Sequence, residues 1–541
     1  MKSLLLICTI FIVIGCTKNK NNRSKDTLNY ALTGNISTLD PAVSYDTISA
    51  KVVYQMYESL YEYDYLKRPY QIKPLLAKEL PIIEDNGLKY TIKIKNNIQY
   101  HKSKAFGDKT RYLKAEDFIN QIKRLAFKGT KSSGWWLFDN KIIGLNDFRK
   151  NVKDDFSDFF DYKIEGLSAP NDHTLVIKLL RPYPQLVYAL AMAFSTPIPR
   201  ELIEYYNNDL TQTAVGTGPY KMLSWDKNSS FKLTRFENYH DQKYPSKGDR
   251  FSFEHDLVAD AGKKLPFIKN INFLIMKEEQ TRWLNFRNKN IDLLVLTKDH
   301  FSLALDKTGN LSKEFKEEGI QLQVSPTLTY WWLAFNMTHP ILGSNVNLRR
   351  AIAHAINIEE YIKNFTNNIA LKANSMYPPG VLGYSPANEL PYKYNVEKAK
   401  KLLAKAGYPN GKGLPTFQYD VRGSSTVSRQ MGEFIKKELA KIGVNLQVNL
   451  NSFPGFLNKA KTAQLTIWQG GWAMDYPDPE NVIQLLISKN HPPGPNSTSY
   501  SNPKVDKLYN KLFFAEDRLE VLGITKKIEK SLSSLDQAEV E

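Results

Sequence analysis

Cysteine is almost missing from this chain of 541 residues: only Cys8 and Cys16 occur, both within the first sixteen positions. Everything after them is without a thiol, which excludes a disulfide framework, a zinc–thiolate site and a cysteine nucleophile from the body of the protein. The eight histidines are scattered, and neither an H-E-x-x-H nor a G-x-S-x-G pattern occurs, so the metal and serine hydrolases that rely on those arrangements have nothing to work with. There is no arginine-rich run, basic repeat or zinc-finger spacing. The net charge of +17 comes from lysines dispersed along helices, as around Glu397-Lys398 and from Glu433 to Glu438. Such lysines read as solvated faces, so no nucleic-acid partner is expected. Long apolar runs are absent too; the stretch Leu4 to Ile14 is too short to cross a bilayer as a stable helix.

What is present is a globular composition, 42% hydrophobic and 24% charged, at a length that implies roughly two to four domains. Aromatic residues reach 12%, enough to line clefts with rings or to fill large cores. The chemistry concentrates in Leu465 to Pro479, where Trp468 and Trp472, the pair Gly470-Gly471 and the carboxylate of Asp475 fall together. Leu465 and Ile467 predict a short buried strand, the glycines allow close backbone approach, and Pro477 and Pro479 forbid the strand from continuing. Asp475 is therefore expected at a strand end, where a carboxylate can meet a ligand.

At the N-terminus, Lys2 and the apolar run have the form of a secretory signal. Val13-Ile14-Gly15-Cys16 then resembles the cleavage site of bacterial lipoproteins, which implies a signal peptide over 1–16, lipidation of Cys16 and attachment to a membrane by acyl chains. Residues 17–26 carry no strongly apolar side chain and read as a flexible tether.

The rest of the chain alternates strand and helix signals. Leu28, Tyr30 and Leu32 alternate as a strand, Leu39-Asp40-Pro41 makes a turn, and Ser49 to Tyr63 has helical spacing. Tyr90, Ile92 and Ile94 predict a half-buried strand, and Phe118, Ile119, Ile122 and Leu125 an amphipathic helix. Tyr330 to Asn336 reads as a buried strand. Over 394–408, Asn395 suits a helix N-cap and Gly407 a left-handed C-cap. Strand 416–421, helix 427–442 and strand 444–450 complete α/β units that predict a mixed sheet with helices on its faces.

Several segments, in order, resemble recurrent motifs of the extracellular solute-binding proteins of peptide ABC transporters, known as family 5. They are Leu39-Asp40-Pro41, Pro74-Leu75-Leu76-Ala77, the Asn86 to Lys95 strand, Val215-Gly216-Thr217-Gly218-Pro219-Tyr220, Asn347 to Asn357, the helix ending in Ala406-Gly407-Tyr408, and Asn502-Pro503-Lys504-Val505-Asp506. The resemblance implies an α/β, two-lobed periplasmic-binding-protein fold of type II, in its three-domain peptide-binding form, with mixed sheets and a hinge cleft. It implies a lobe 1 base domain in 27–60 plus 180–265, an extra domain in 61–179, and lobe 2 in 266–541, where the segment after Leu508 is shorter than is usual for the return to lobe 1. Trp472-Ala473-Met474-Asp475 resembles the "G-W-x-x-D" segment whose aspartate holds a peptide α-ammonium. Gly470, Gly471, Tyr330, Trp331, Trp135 and Trp136 are the further ligand-binding candidates, and Gln469 stands where some relatives carry Arg.

The function implied is that of a monomeric, non-catalytic lipoprotein in the cell envelope, without cofactor or metal. It captures oligopeptides or dipeptides and delivers them to a permease with its ATPase subunits. The same architecture also hosts a sugar, nickel or haem, which is the alternative.

Overall fold

The computed structural model describes residues 26–540 except 307, 325–326, 388–391, 516 and 535–538. Cys16, the expected signal peptide and most of the expected tether lie outside the described residues. Among those described, no helix is long and apolar enough to cross a membrane.

The chain divides into two compact units. The first takes residues up to Asn35 together with Met222–Arg235 and Pro266–Leu294. Its four-stranded sheet runs in the order Thr27–Leu32, Asn270–Ile275, Ser230–Arg235, Tyr220–Asp226. The N-terminal strand lies parallel to Asn270–Ile275, with Leu28 opposite Ile271 and Tyr30 opposite Phe273. Phe231, Leu233, Ile271 and Phe273 are buried by the alternation that a half-covered sheet requires.

The second unit takes Ile36–Lys221, Phe236–Leu265 and Val295 onward. Its antiparallel sheet orders Ile82–Glu84, Lys89–Lys93, Thr174–Lys178 and Leu167–Asn171. Helix Ala115–Ala126 buries Phe118, Ile122 and Leu125, the face its spacing predicts. The same unit holds a five-stranded mixed sheet in the order Leu446–Leu450, Phe417–Val421, Ile467–Ala473, Thr329–Phe335, Glu539–Val540. Helices Val346–Ala355, Val396–Lys405 and Thr426–Ala440 supply Leu348, Ile352, Leu403 and Leu439 to its core.

The local signals that depend on neighbouring residues hold. Asn395 accepts from the backbone N–H of Lys398 at 2.8 Å, and Gly407 is left-handed at φ +91°. The helix expected over 49–63 is shorter: it spans Thr47–Met56, and Tyr61–Tyr63 is instead a strand paired with Ile72–Pro74. The break is tertiary in origin. The Tyr57 hydroxyl donates to the Thr213 carbonyl and the Met56 carbonyl accepts from Gly218 N–H, so the chain leaves the helix to meet another segment. A side chain on Gly216 would lie 2.2 Å from the Met56 oxygen, which is why this crossing is made of glycine.

The Leu39-Asp40-Pro41 turn is anchored by charge. Asp40 Oδ2 and Arg124 Nη2 lie 2.6 Å apart, with side-chain exposures of 2% and 0%. Asp40 Oδ1 also accepts from Ala42 N–H at 2.9 Å, so the pair fixes the backbone leading to Tyr45. Removing one partner leaves an unpaired buried charge, so Asp40→Ala is expected to lower unfolding stability by about 3–5 kcal/mol. Urea denaturation measures this, and a loss below about 1 kcal/mol would show that Arg124 finds solvent or another partner.

Candidate functional site

The strand Ile467–Ala473 pairs antiparallel with Thr329–Phe335 along its whole length, Gly471 opposite Trp331 and Gly470 opposite Trp332. These registers explain the glycine pair. A Cβ on Gly470 would stand 2.4 Å from the Trp332 indole nitrogen, and one on Gly471 2.4 Å from the Trp331 ring. The close approach is thus made by the protein's own tryptophans, each lying across the neighbouring strand. Tyr330 and Trp332 stack on one face at 4.8 Å, while Trp331 faces the other way and is 57% exposed. The expected buried strand is therefore buried only in part.

The other side of the glycine strand is open. Its parallel pairing with Phe417–Val421 covers Ile467 and Trp468 and goes no further. Beyond that point Arg422 donates to the Gly471 carbonyl at 2.8 Å. Its guanidinium lies over the rings of Trp331, Phe453 and Phe456 at 5.2, 5.3 and 5.5 Å. Burial lowers its pKa, and it pairs with no carboxylate among the described residues. Gln469, two residues before Gly471 in the strand, donates its Nε2 to the Tyr361 hydroxyl at 3.4 Å.

Asp475 lies two residues past the strand's end, half-buried. Its Oδ1 accepts from the Tyr45 hydroxyl at 2.8 Å and its Oδ2 from Asn481 Nδ2 at 3.3 Å. Both donors are neutral, and no lysine or arginine pairs with it among the described residues. Burial lifts its carboxyl above the ordinary 3.8, and the two hydrogen bonds bring it only part of the way back. The Tyr45 phenol is raised by burial and by the Asp475 charge.

Asn481, fully buried, organises this turn. Besides its donation to Asp475, its Oδ1 accepts from the Trp472 indole at 2.9 Å and from Asp475 N–H at 3.1 Å. Trp472 is thereby fixed beside the carboxylate. Trp135 and Trp136 sit in a short 3-10 turn, Trp135 under the Arg149 guanidinium at 4.8 Å. Neither ring has a hydrogen bond or ring contact with Asp475 among the described residues. Their segment still bears on the site: the Phe194 ring leaves no room for a Cβ on Gly134 and lies 5.5 Å from the Tyr45 ring.

Sequence reasoning missed Tyr45, Arg422 and Asn481. Tyr45 has no local signal, being 430 residues from its partner. Arg422 follows the end of a predicted strand, and Asn481 follows Pro479 at a helix start, so position was the only available clue.

A family model described as "Bacterial extracellular solute-binding proteins, family 5 Middle" matches residues 71–493. The chain belongs to this family. Among family relatives, Heme-binding protein A of Haemophilus influenzae is 24% identical over 88% of this chain and 78% of its own length. Oligopeptide-binding protein OppA of Bacillus subtilis is 24% identical over 94% and 86%. The solved structure of the periplasmic binding protein DppA from Helicobacter pylori, in complex with the peptide STSA, superposes with a TM-score of 0.71 at 23% identity, covering 95% of this chain and 91% of that one. The fold of this family 5 protein is accordingly the α/β fold of type II periplasmic peptide-binding proteins.

Asn481→Ala removes three hydrogen bonds and leaves the Trp472 indole and Asp475 N–H without their acceptor. It is expected to destabilise the fold by about 1–3 kcal/mol and to shift tryptophan emission. Unchanged emission and denaturation midpoint would show that Asn481 does not hold the turn.

Proposed function

We propose that this chain is the substrate-binding subunit of an ABC importer and takes short peptides in zwitterionic form. One observation carries the reading: an anion without a cation and a cation without an anion attend the same strand, Arg422 on the Gly471 carbonyl and Asp475 two residues past the strand's end. Gly471, to which Arg422 is tied, and Asp475 are four positions apart, at most about 13 Å of extended chain. An α-ammonium on Asp475 and a carboxylate on Arg422 suit an extended peptide of a few residues. The unpaired edge beyond Trp468 offers its main chain hydrogen bonds that do not depend on side-chain identity.

On this reading the protein binds without catalysis, acts as a monomer, and passes its ligand to a permease with ATPase subunits. Acyl chains on Cys16 hold it at the outer face of a membrane. The oligopeptide-binding relative OppA and the peptide-bound DppA support the peptide class; the haem named for the Haemophilus influenzae relative is the competing ligand.

Isothermal titration of Ala-Ala-Ala against its N-acetylated and C-amidated forms tests the reading. Each modification removes a charge-assisted hydrogen bond and is expected to weaken binding roughly 10- to 100-fold, as are Asp475→Asn and Arg422→Gln for the unmodified peptide. Equal affinity for the acetylated peptide would defeat the ammonium anchor, and tight haem binding with no peptide binding would replace the reading.

The pH dependence has a fixed sign. Protonating Asp475 removes the charge the ammonium needs, so affinity falls with decreasing pH, beginning above the ordinary carboxylate value because the group is raised. The same raised pKa means that the charged carboxylate opposes folding at neutral pH. Ligand-free Asp475→Asn should therefore melt no lower than the parent at pH 7, and thermal melts across pH 4–7 read this directly.

A further inference from the structure

The turn that carries Asp475 holds a second carboxylate three residues on, at Asp478. Its Oδ1 accepts from Glu480 N–H at 2.9 Å and from Gln185 Nε2 at 3.4 Å. No lysine or arginine pairs with it among the described residues, and Arg518 acts only at longer range. Burial raises its pKa to about 6.

The surroundings are phenolic. Tyr63 and Tyr188 stack at 6.4 Å, and Tyr188 and Tyr476 at 5.6 Å with their planes 3° apart. Burial raises the pKa of Tyr63, Tyr183 and Tyr188, and the Asp478 charge adds to each rise, so all three phenols lie within electrostatic reach of this carboxylate.

Three polar atoms in this shell have no hydrogen-bond partner: Gln185 Oε1, Tyr63 Oη and Tyr183 Oη. Gln185 and Tyr183 are each only 4% exposed. The Gln185 amide head is placed at the carboxylate by its own bond to it. The other charges nearby are already engaged. Glu480 accepts from the Tyr476 and Tyr509 hydroxyls. Lys141 lies 4.3 Å from the Tyr183 ring centre and donates to the Trp136 and Leu137 carbonyls, both at 3.0 Å.

The Asp478 carboxylate and the Gln185 amide, with its unused oxygen, are joined by a hydrogen bond beside the stacked Tyr63, Tyr188 and Tyr476 rings, and the unused Tyr63 and Tyr183 phenol oxygens belong to rings within electrostatic reach of the carboxylate. Buried acceptors of this kind call for a donor, and rings favour a positive one. We propose that Asp478, Gln185, Tyr63 and Tyr183 form a cation subsite beside Asp475, which takes the ammonium or guanidinium of a lysine or arginine side chain in the bound peptide. This rests on the peptide reading above. The ligand class becomes peptides that are basic as well as short.

Titration of the full chain with Lys-Ala-Ala and Ala-Lys-Ala, each against the norleucine peptide of the same sequence, separates the two ideas. Norleucine keeps the side chain's length and removes its charge. Lysine is expected to be preferred roughly 10- to 100-fold at one of the two positions. Asp478→Asn keeps the capping oxygen for Glu480 N–H and should abolish that preference while leaving the norleucine peptide's affinity unchanged. Gln185→Leu should reduce the preference and serves if the first variant does not fold.

At pH 6 the lysine peptide should also release about half a proton from Asp478, read from the heat measured in two buffers, and the norleucine peptide none. Equal affinity for lysine and norleucine at both positions overturns the subsite and leaves peptide binding standing, as does a preference that survives both variants. Failure of every peptide to bind overturns the reading on which the subsite depends.

Discussion

The geometry of the site depends on one buried side-chain amide. Asn481 is the only described residue that ties together the end of the glycine strand, the Trp472 indole and both the backbone and the carboxylate of Asp475. An amide suits the position because it both accepts and donates: its oxygen takes two N–H groups while its nitrogen faces the carboxylate. An aspartate there could accept the same two bonds but would set a second negative charge against Asp475. Asn481 itself is held by the start of the short helix Glu480–Ile483, which begins where Pro477 and Pro479 end the extended chain. The prolines, the helix start and the carboxylate therefore form a single unit.

That unit keeps its charge under strain of a chemical kind. Asp475, Asp478 and Arg422 are each partly or largely removed from water without an ion-pair partner among the described residues, and each has its pKa moved toward the neutral form. A protein under selection for stability alone would pair or replace such groups. Tyr45 eases the cost at Asp475 by lending a neutral hydroxyl, a donor that a stronger one can displace.

Much of the fold was legible in the residues because its signals are local. The Asn395 cap, the Gly407 terminus, the alternation around Tyr90 and the strand end before Asp475 all depend on neighbours a few positions away. The helix read through Tyr63 failed because its stop lies in the Thr213–Gly218 segment, about 160 residues distant. The exposure of Trp331 was equally hidden, since period-two alternation tells which side chains share a face and not which face is covered. The candidate site was half legible. Asp475 and Trp472 stand in one stretch, but Tyr45 and Arg422 reach it from strands and turns that sequence spacing does not relate to it.

The pairing of the first strand has a consequence for biogenesis. Thr27–Leu32 hydrogen-bonds to Asn270–Ile275, so its sheet cannot close until about half of the polypeptide has been made. Contacts of such long sequence separation form late and slowly. Until then Thr27–Leu32 lacks the neighbour it is paired with in the finished sheet, so the first strand to be made is among the last to be placed.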